Sequence, residues 1–242
     1  MRSAPAGLRK WNRPLMVLVL TVLLVGVVAG LYVFLSSHDL TISLSDSSVV
    51  IQRGTTHTIM VSIVGKNTPA EAAALSVSGL PNNGDVTATF SNPNPQLVAN
   101  GSTTSNMTIT AGSHAQVQNS TLIVEVSAGS LSRQTNLLIT VLGNTFTYNM
   151  AGSYSAGWNV TTINAREGDI ITLRLTSHDV AHAFFLDYNG NMIYDVGEPL
   201  SPDTHSPTTP VVYSFMITQI GSFIYYCRYH LNMTGTLNSA SP

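Results

Sequence analysis

The sequence has one cysteine, Cys227, in 242 residues. A single thiol excludes any intrachain disulfide, and with it the stapled framework of many small secreted chains. Charge is scarce as well. Asp, Glu, Lys and Arg together make up 9% of the chain, too little for a charged disordered tail or a coiled coil. The net charge of −2 is unevenly placed, since Arg2, Arg9, Lys10 and Arg13 precede the first long apolar run and every acidic residue follows it. Without those four, six basic residues face twelve acidic ones, and a nucleic-acid surface is excluded.

Long apolar runs are also few. Residues 14–37 carry no charge, and 15–35 are apolar but for Thr21, Gly26 and Gly30. At about 1.5 Å per residue a helix there spans about 30 Å, the thickness of a bilayer's hydrocarbon core. It exceeds the roughly 7–15 apolar residues of a cleaved signal peptide. The expectation is a single-pass anchor over 14–37 in the cell membrane, with the basic tail 1–13 cytoplasmic and the main body extracytoplasmic. A lone thiol in an oxidising compartment must then be buried or bound.

Beyond the anchor, short runs of alternating polarity are separated by Gly, Asn, Pro and Ser clusters. Ile59, Val61 and Ile63 share one face of their run, as do Leu122, Val124 and Val126. Similar runs at 40–44, 48–53, 74–79, 86–90, 105–110 and 134–141 predict an antiparallel β-sandwich over 38–142. Leu75-Ser-Val-Ser-Gly-Leu-Pro81 and Val86-Thr-Ala-Thr-Phe90 resemble segments of the immunoglobulin-like domains of prokaryotic surface proteins. No catalytic constellation occurs here, and His57 and His114 read as surface residues without partners. The expected role is a spacer or interaction surface.

A second set of strands occupies 143–242. Ile171, Leu173 and Leu175 form one apolar face, whereas Val180, His182, Phe184 and Leu186 line up on the opposite parity. The switch predicts a kink at Ser177-His178-Asp179 that turns His182 toward the core. Near the C-terminus Phe223-Ile-Tyr-Tyr-Cys227 reads as a strand running into Arg228-Tyr-His230-Leu-Asn-Met233, with a closing strand from Thr234. Thiolate, imidazole and a weak thioether are the donors of a blue-copper site, which needs one more histidine. His182 is the candidate; His178 and His205 read as loop residues.

Residues 143–242 resemble the cupredoxins, and the Cys-x2-His-x2-Met loop is similar to that of amicyanin and pseudoazurin. The resemblance rests on Ile163-Asn-Ala-Arg-Glu-Gly-Asp169, on Ser177-His-Asp-Val-Ala-His182-Ala-Phe, and on Gly221 to Gly235 around the ligand loop. It implies an all-β chain ending in a Greek-key β-sandwich, with copper on His182, Cys227, His230 and Met233. It also implies one-electron transfer between redox proteins such as membrane cytochromes or a terminal oxidase. Copper delivery, or a surface interaction protein with a structural cupredoxin domain, is the competing reading. Catalysis is not expected, because binuclear oxidase centres need two cysteines and multicopper oxidases use His-x-His pairs, which this sequence lacks.

A second constellation has the spacing of a calcium loop, and reads either as a calcium site or as a polar turn with Asn-Gly chemistry. From Asp187, oxygen donors fall at the calcium-loop positions through Asp187, Asn189, Asn191, the Ile193 carbonyl, Asp195 and Glu198, with Met192 where such loops carry glycine.

Overall fold

The computed structural model describes residues 38–81 and 84–242; the expected basic tail 1–13 and membrane segment 14–37 lie outside them. Among the described residues there are strands and no helix, so none is long and apolar enough to cross a membrane.

The N-terminal half comprises β1 (Asp39–Leu44), β2 (Ser48–Gln52), β3 (Thr56–Lys66), β4 (Glu71–Ala72) and β5 (Ala74–Ser78). It continues with β6 (Val86–Phe90), β7 (Gln96–Leu97), β8 (Ser102–Ala111), β9 (Gln118–Ala128) and β10 (Leu131–Leu142). Two four-stranded sheets result, in the orders β1-β3-β8-β6 and β2-β10-β9-β5. Ile59, Val61 and Ile63 from one sheet and Leu122, Val124 and Val126 from the other are buried in a common core. Each such side chain contributes about 1.5–3 kcal/mol on leaving water. The β9–β10 hairpin closes through Gly129-Ser130, with Gly129 at φ 54°, a conformation side chains with a Cβ disfavour. One strand pair departs from the antiparallel expectation. β2 runs parallel to β10, because alternation sets which side chains face inward and is silent on strand direction.

The C-terminal half comprises β11 (Thr145–Ser153), β12 (Gly157–Trp158), β13 (Thr162–Arg166) and β14 (Ile170–Ser177). β15 (Phe184–Asp187), β16 (Val211–Met216), β17 (Gly221–Cys227) and β18 (Thr234–Ala240) complete it. The sheets β12-β11-β14-β16 and β13-β18-β17-β15 enclose a separate core that includes Ile171, Leu173, Leu175, Phe184, Leu186, Tyr225 and Cys227. The sequence places Val180 on the inward face with His182; the structure leaves Val180 49% exposed, while residues 182–187 are all buried. The strand proper starts only at Phe184. Before it the chain turns at 177–180, where the Ser177 hydroxyl donates to the Val180 carbonyl and Asp179 caps the Val180 N–H.

A polar joint links the halves. The fully buried Arg53 guanidinium lies 2.8 Å from Asp169 and also donates to the carbonyls of Ala115 and Glu167. Asp169 is further satisfied by the N–H groups of Asn144 and Arg166. His114, read from sequence as partnerless, has Nε2 2.9 Å from Arg166 Nη2. The joint sits where β14 begins and β13 ends. The ligand loop sits at the other end, where β14 and β17 finish. Eight residues of β14 at about 3.3 Å each separate the two ends by about 25 Å.

Candidate metal centre

Four chain segments converge at that far end. The C-terminus of β17 supplies Cys227, whose N–H donates to the Met233 carbonyl at 3.0 Å. His230 N–H donates to the Cys227 carbonyl, and Met233 N–H to the His230 carbonyl. These three bonds wind residues 227–233 into a compact loop that returns the chain to β18. Met233 ends up fully buried in the same core as Cys227. On the neighbouring strand Phe184 pairs with Cys227, and His182, two residues earlier, bridges to Thr204. That register delivers a fully buried imidazole beside the thiol.

Both imidazoles face sulfur through the same atom. His182 Nδ1 lies 3.6 Å and His230 Nδ1 3.5 Å from Cys227 Sγ. The thiol has one proton, so at most one of these contacts is an ordinary S–H···N hydrogen bond. Bond lengths of about 2.0–2.1 Å to nitrogen and about 2.3 Å to sulfur, the values for zinc, would at angles of about 110–120° set N and S about 3.5–3.8 Å apart. The observed separations match that spacing. Among the described residues, His182, Cys227 and His230 form the only cluster of three or more His, Cys, Asp or Glu donors within 4.8 Å of one another. Two imidazoles, a thiolate and a thioether are the donor set that suits copper in both oxidation states, so the residues fit the implied ion.

The surroundings hold the donors still. His182 Nε2 lies 2.8 Å from Asp179 Oδ1, which directs Nδ1 toward the sulfur. The Asp179 carboxyl is held well below the usual carboxylate range, first by the Val180 N–H and then by His182, with the Tyr154 N–H and Ser153 hydroxyl adding to it. The edge of Trp158 meets the His182 ring, and Gly152 leaves no room for a Cβ there. Tyr154 packs edge-on against His230 with centroids 5.0 Å apart. Tyr229 also meets that ring edge-on, with centroids 6.4 Å apart, and donates its hydroxyl to Asp203. His230 alone of the four donors is partly exposed. His178 and His205 are exposed, as expected.

The sequence places Asp179 in the kink but gives it no role at the site, and gives Gly152, Trp158 and Tyr154 none. Asp179 carries one local signal, its place three residues before His182. The others reach the site from β11 and β12 across the fold.

The 187–198 segment behaves differently. Asp187 accepts N–H bonds from Asn189, Gly190 and Met192, and Glu198 accepts those of Tyr188 and Asp195. Asp195 binds the side-chain amides of Asn189 and Asn191. Met192 adopts φ 65°, the left-handed conformation that glycine supplies in calcium loops. The backbone thus follows the expected turn.

No family model and no curated protein matches the chain. Solved structures give distant likenesses. Domains 4 and 5 of an S-layer protein match at 13% identity and TM-score 0.32, over 43% of this chain and 53% of that one, so the chain spans about half of that fragment. A purple cupredoxin from Nitrosopumilus maritimus matches at 18% identity and TM-score 0.31, over 40% of this chain and 99% of that one. A Cu(I) amicyanin variant matches at 13% identity and TM-score 0.31, over 40% of this chain and 83% of that one. Likenesses this distant say nothing of this chain's function.

Proposed function

We propose that the chain is a one-electron carrier whose copper site is made by His182, Cys227, His230 and Met233. The observation that carries this reading is the convergence of two Nδ1 atoms on one buried sulfur at 3.5 and 3.6 Å, with Met233 buried in the same core. Bound copper supplies a reversible one-electron couple that needs no substrate chemistry. The protein's part is positional. Burial of Cys227, His182 and Met233 excludes water and protects the thiolate from oxidation. The β-sheet register fixes the donors, which limits rearrangement between oxidation states. The exposed side of His230, flanked by Tyr154 and Leu231, is where a redox partner reaches the site.

The N-terminal sandwich acts in this reading as an immunoglobulin-like spacer, with the 14–37 segment as a membrane anchor. The Arg53–Asp169 joint supports that arrangement, since it grips the end of the C-terminal half remote from the ligands. Stopped-flow mixing of the copper-loaded chain with a reduced cytochrome tests the carrier role. A carrier is reduced within milliseconds to seconds and is reoxidised by an acceptor; a delivery protein releases copper to a chelator faster than it exchanges electrons.

A further inference from the structure

Asp179 does more than cap its own turn. Its two oxygens take four donors from three places in the chain. Oδ1 accepts from the Val180 N–H and from His182 Nε2, each at 2.8 Å. Oδ2 accepts from the Tyr154 N–H at 2.8 Å and the Ser153 hydroxyl at 3.1 Å. One arm therefore orients the buried His182. The other ties down the β11–β12 turn that sets Tyr154 against the His230 ring.

A neutral imidazole has one N–H and one lone pair. A carboxylate beside Nε2 keeps the proton there and leaves the Nδ1 lone pair facing Cys227. It also raises the donor strength of that nitrogen, as carboxylates behind metal-bound histidines do in other sites. We infer that Asp179 is the positioning residue of the centre: it fixes the His182 tautomer, strengthens Nδ1 as a donor, and links both histidines through the Ser153–Tyr154 turn. The inference rests on the copper reading for its effect on the ion, whereas the tautomer is a property of the metal-free protein.

The stronger donor favours Cu(II), the form that prefers imidazole, over Cu(I). Losing the carboxylate therefore raises the reduction potential. Removing such a partner costs about 10–100-fold in metal affinity. A tenfold loss borne by the Cu(II) form alone is a rise of about 59 mV.

The test uses the full chain in detergent, with Asp179→Ala and Asp179→Asn. Long-range nitrogen–proton NMR on metal-free protein reads which His182 nitrogen carries the proton; copper titration and voltammetry then read Cu(II) affinity and potential. The wild type is expected to hold a single Nε2–H tautomer. Asp179→Ala gives a tautomer mixture and a 10–100-fold weaker Cu(II) site. Asp179→Asn keeps one acceptor oxygen for the Val180 N–H and His182 Nε2 and turns its amide nitrogen toward the Tyr154 N–H, so it keeps the tautomer, loosens the Tyr154 arm and raises the potential. An unchanged tautomer and affinity in Asp179→Ala overturns the inference. If that variant does not fold, an unchanged potential in Asp179→Asn overturns it instead. A wild type that forms no thiolate–copper band contradicts the copper reading, and the tautomer comparison still decides the role of Asp179.

Discussion

Gly152 is the floor of the site, and filling it tests the packing around His182. A Cβ built there lies 2.8 Å from His182 Cδ2, 3.0 Å from His182 Cγ and 2.9 Å from Trp158 Cζ3. Ordinary carbon contacts begin near about 3.5 Å, so Gly152→Ala forces these rings back by about 0.5–0.7 Å. Neither ring has space to yield. His182 is fully buried and held by Asp179, and Trp158 is 2% exposed. Overpacking of this kind costs about 1–3 kcal/mol. The loss of glycine's freedom in the unfolded chain works the other way, by about 0.4–1 kcal/mol, and no positive φ adds strain at this residue. The steric effect wins, with a net loss of about 1–2 kcal/mol. Urea unfolding of the metal-free protein measures it as a lower midpoint at unchanged slope. The same displacement moves Nδ1 relative to Cys227, so copper affinity falls too. A midpoint equal to or above the wild type refutes the account of this pocket.

Two further perturbations address other parts of the molecule. Arg53→Met removes the cation beside the buried Asp169 carboxylate, leaving it only the Asn144 and Arg166 N–H groups, and costs about 3–5 kcal/mol, as loss of one partner from a buried pair does; adding Asp169→Asn removes the charge and restores part of it, less the acceptor that one of those N–H groups loses. Chemical unfolding of the single and double variants checks this, and a cost below about 1 kcal/mol for Arg53→Met contradicts a structural role for the pair. Met192 holds φ 65° while 54% exposed, a conformation costing about 1–2 kcal/mol in any residue with a Cβ. Met192→Gly relieves it against about 0.5–1 kcal/mol of added unfolded-state entropy, so thermal unfolding shifts upward by the small remainder. A lower midpoint contradicts the strain.

The strands and the ligand loop were legible because their signals are local. Ile59, Val61 and Ile63 announce a buried face by alternation, and Cys227, His230 and Met233 lie within seven residues of one another. His182 was legible by parity, but parity also drew in Val180. The side chains of Ser177 and Asp179 fold that residue into a turn, and a polar cap of this kind outweighs the weak pull of one valine toward the core. Partners supplied from a distance left no trace. Arg53 and Asp169 are 116 positions apart, and nothing in the run of β11 marks Gly152 as the surface beneath a histidine on another segment. The parallel pairing of β2 with β10 was likewise invisible, since it depends on the path of the connections and not on residue pattern.

The central claim is that Cys227 is a metal-bound thiolate flanked by two imidazoles. Adding one equivalent of Cu(II) to the full chain and recording visible absorption and spin resonance tests it most directly. The account predicts an intense thiolate-to-copper band that Cys227→Ser abolishes while the fold, read by circular dichroism, is retained. A colourless wild-type protein, with only the weak tetragonal copper signal of nitrogen and oxygen donors, would contradict it.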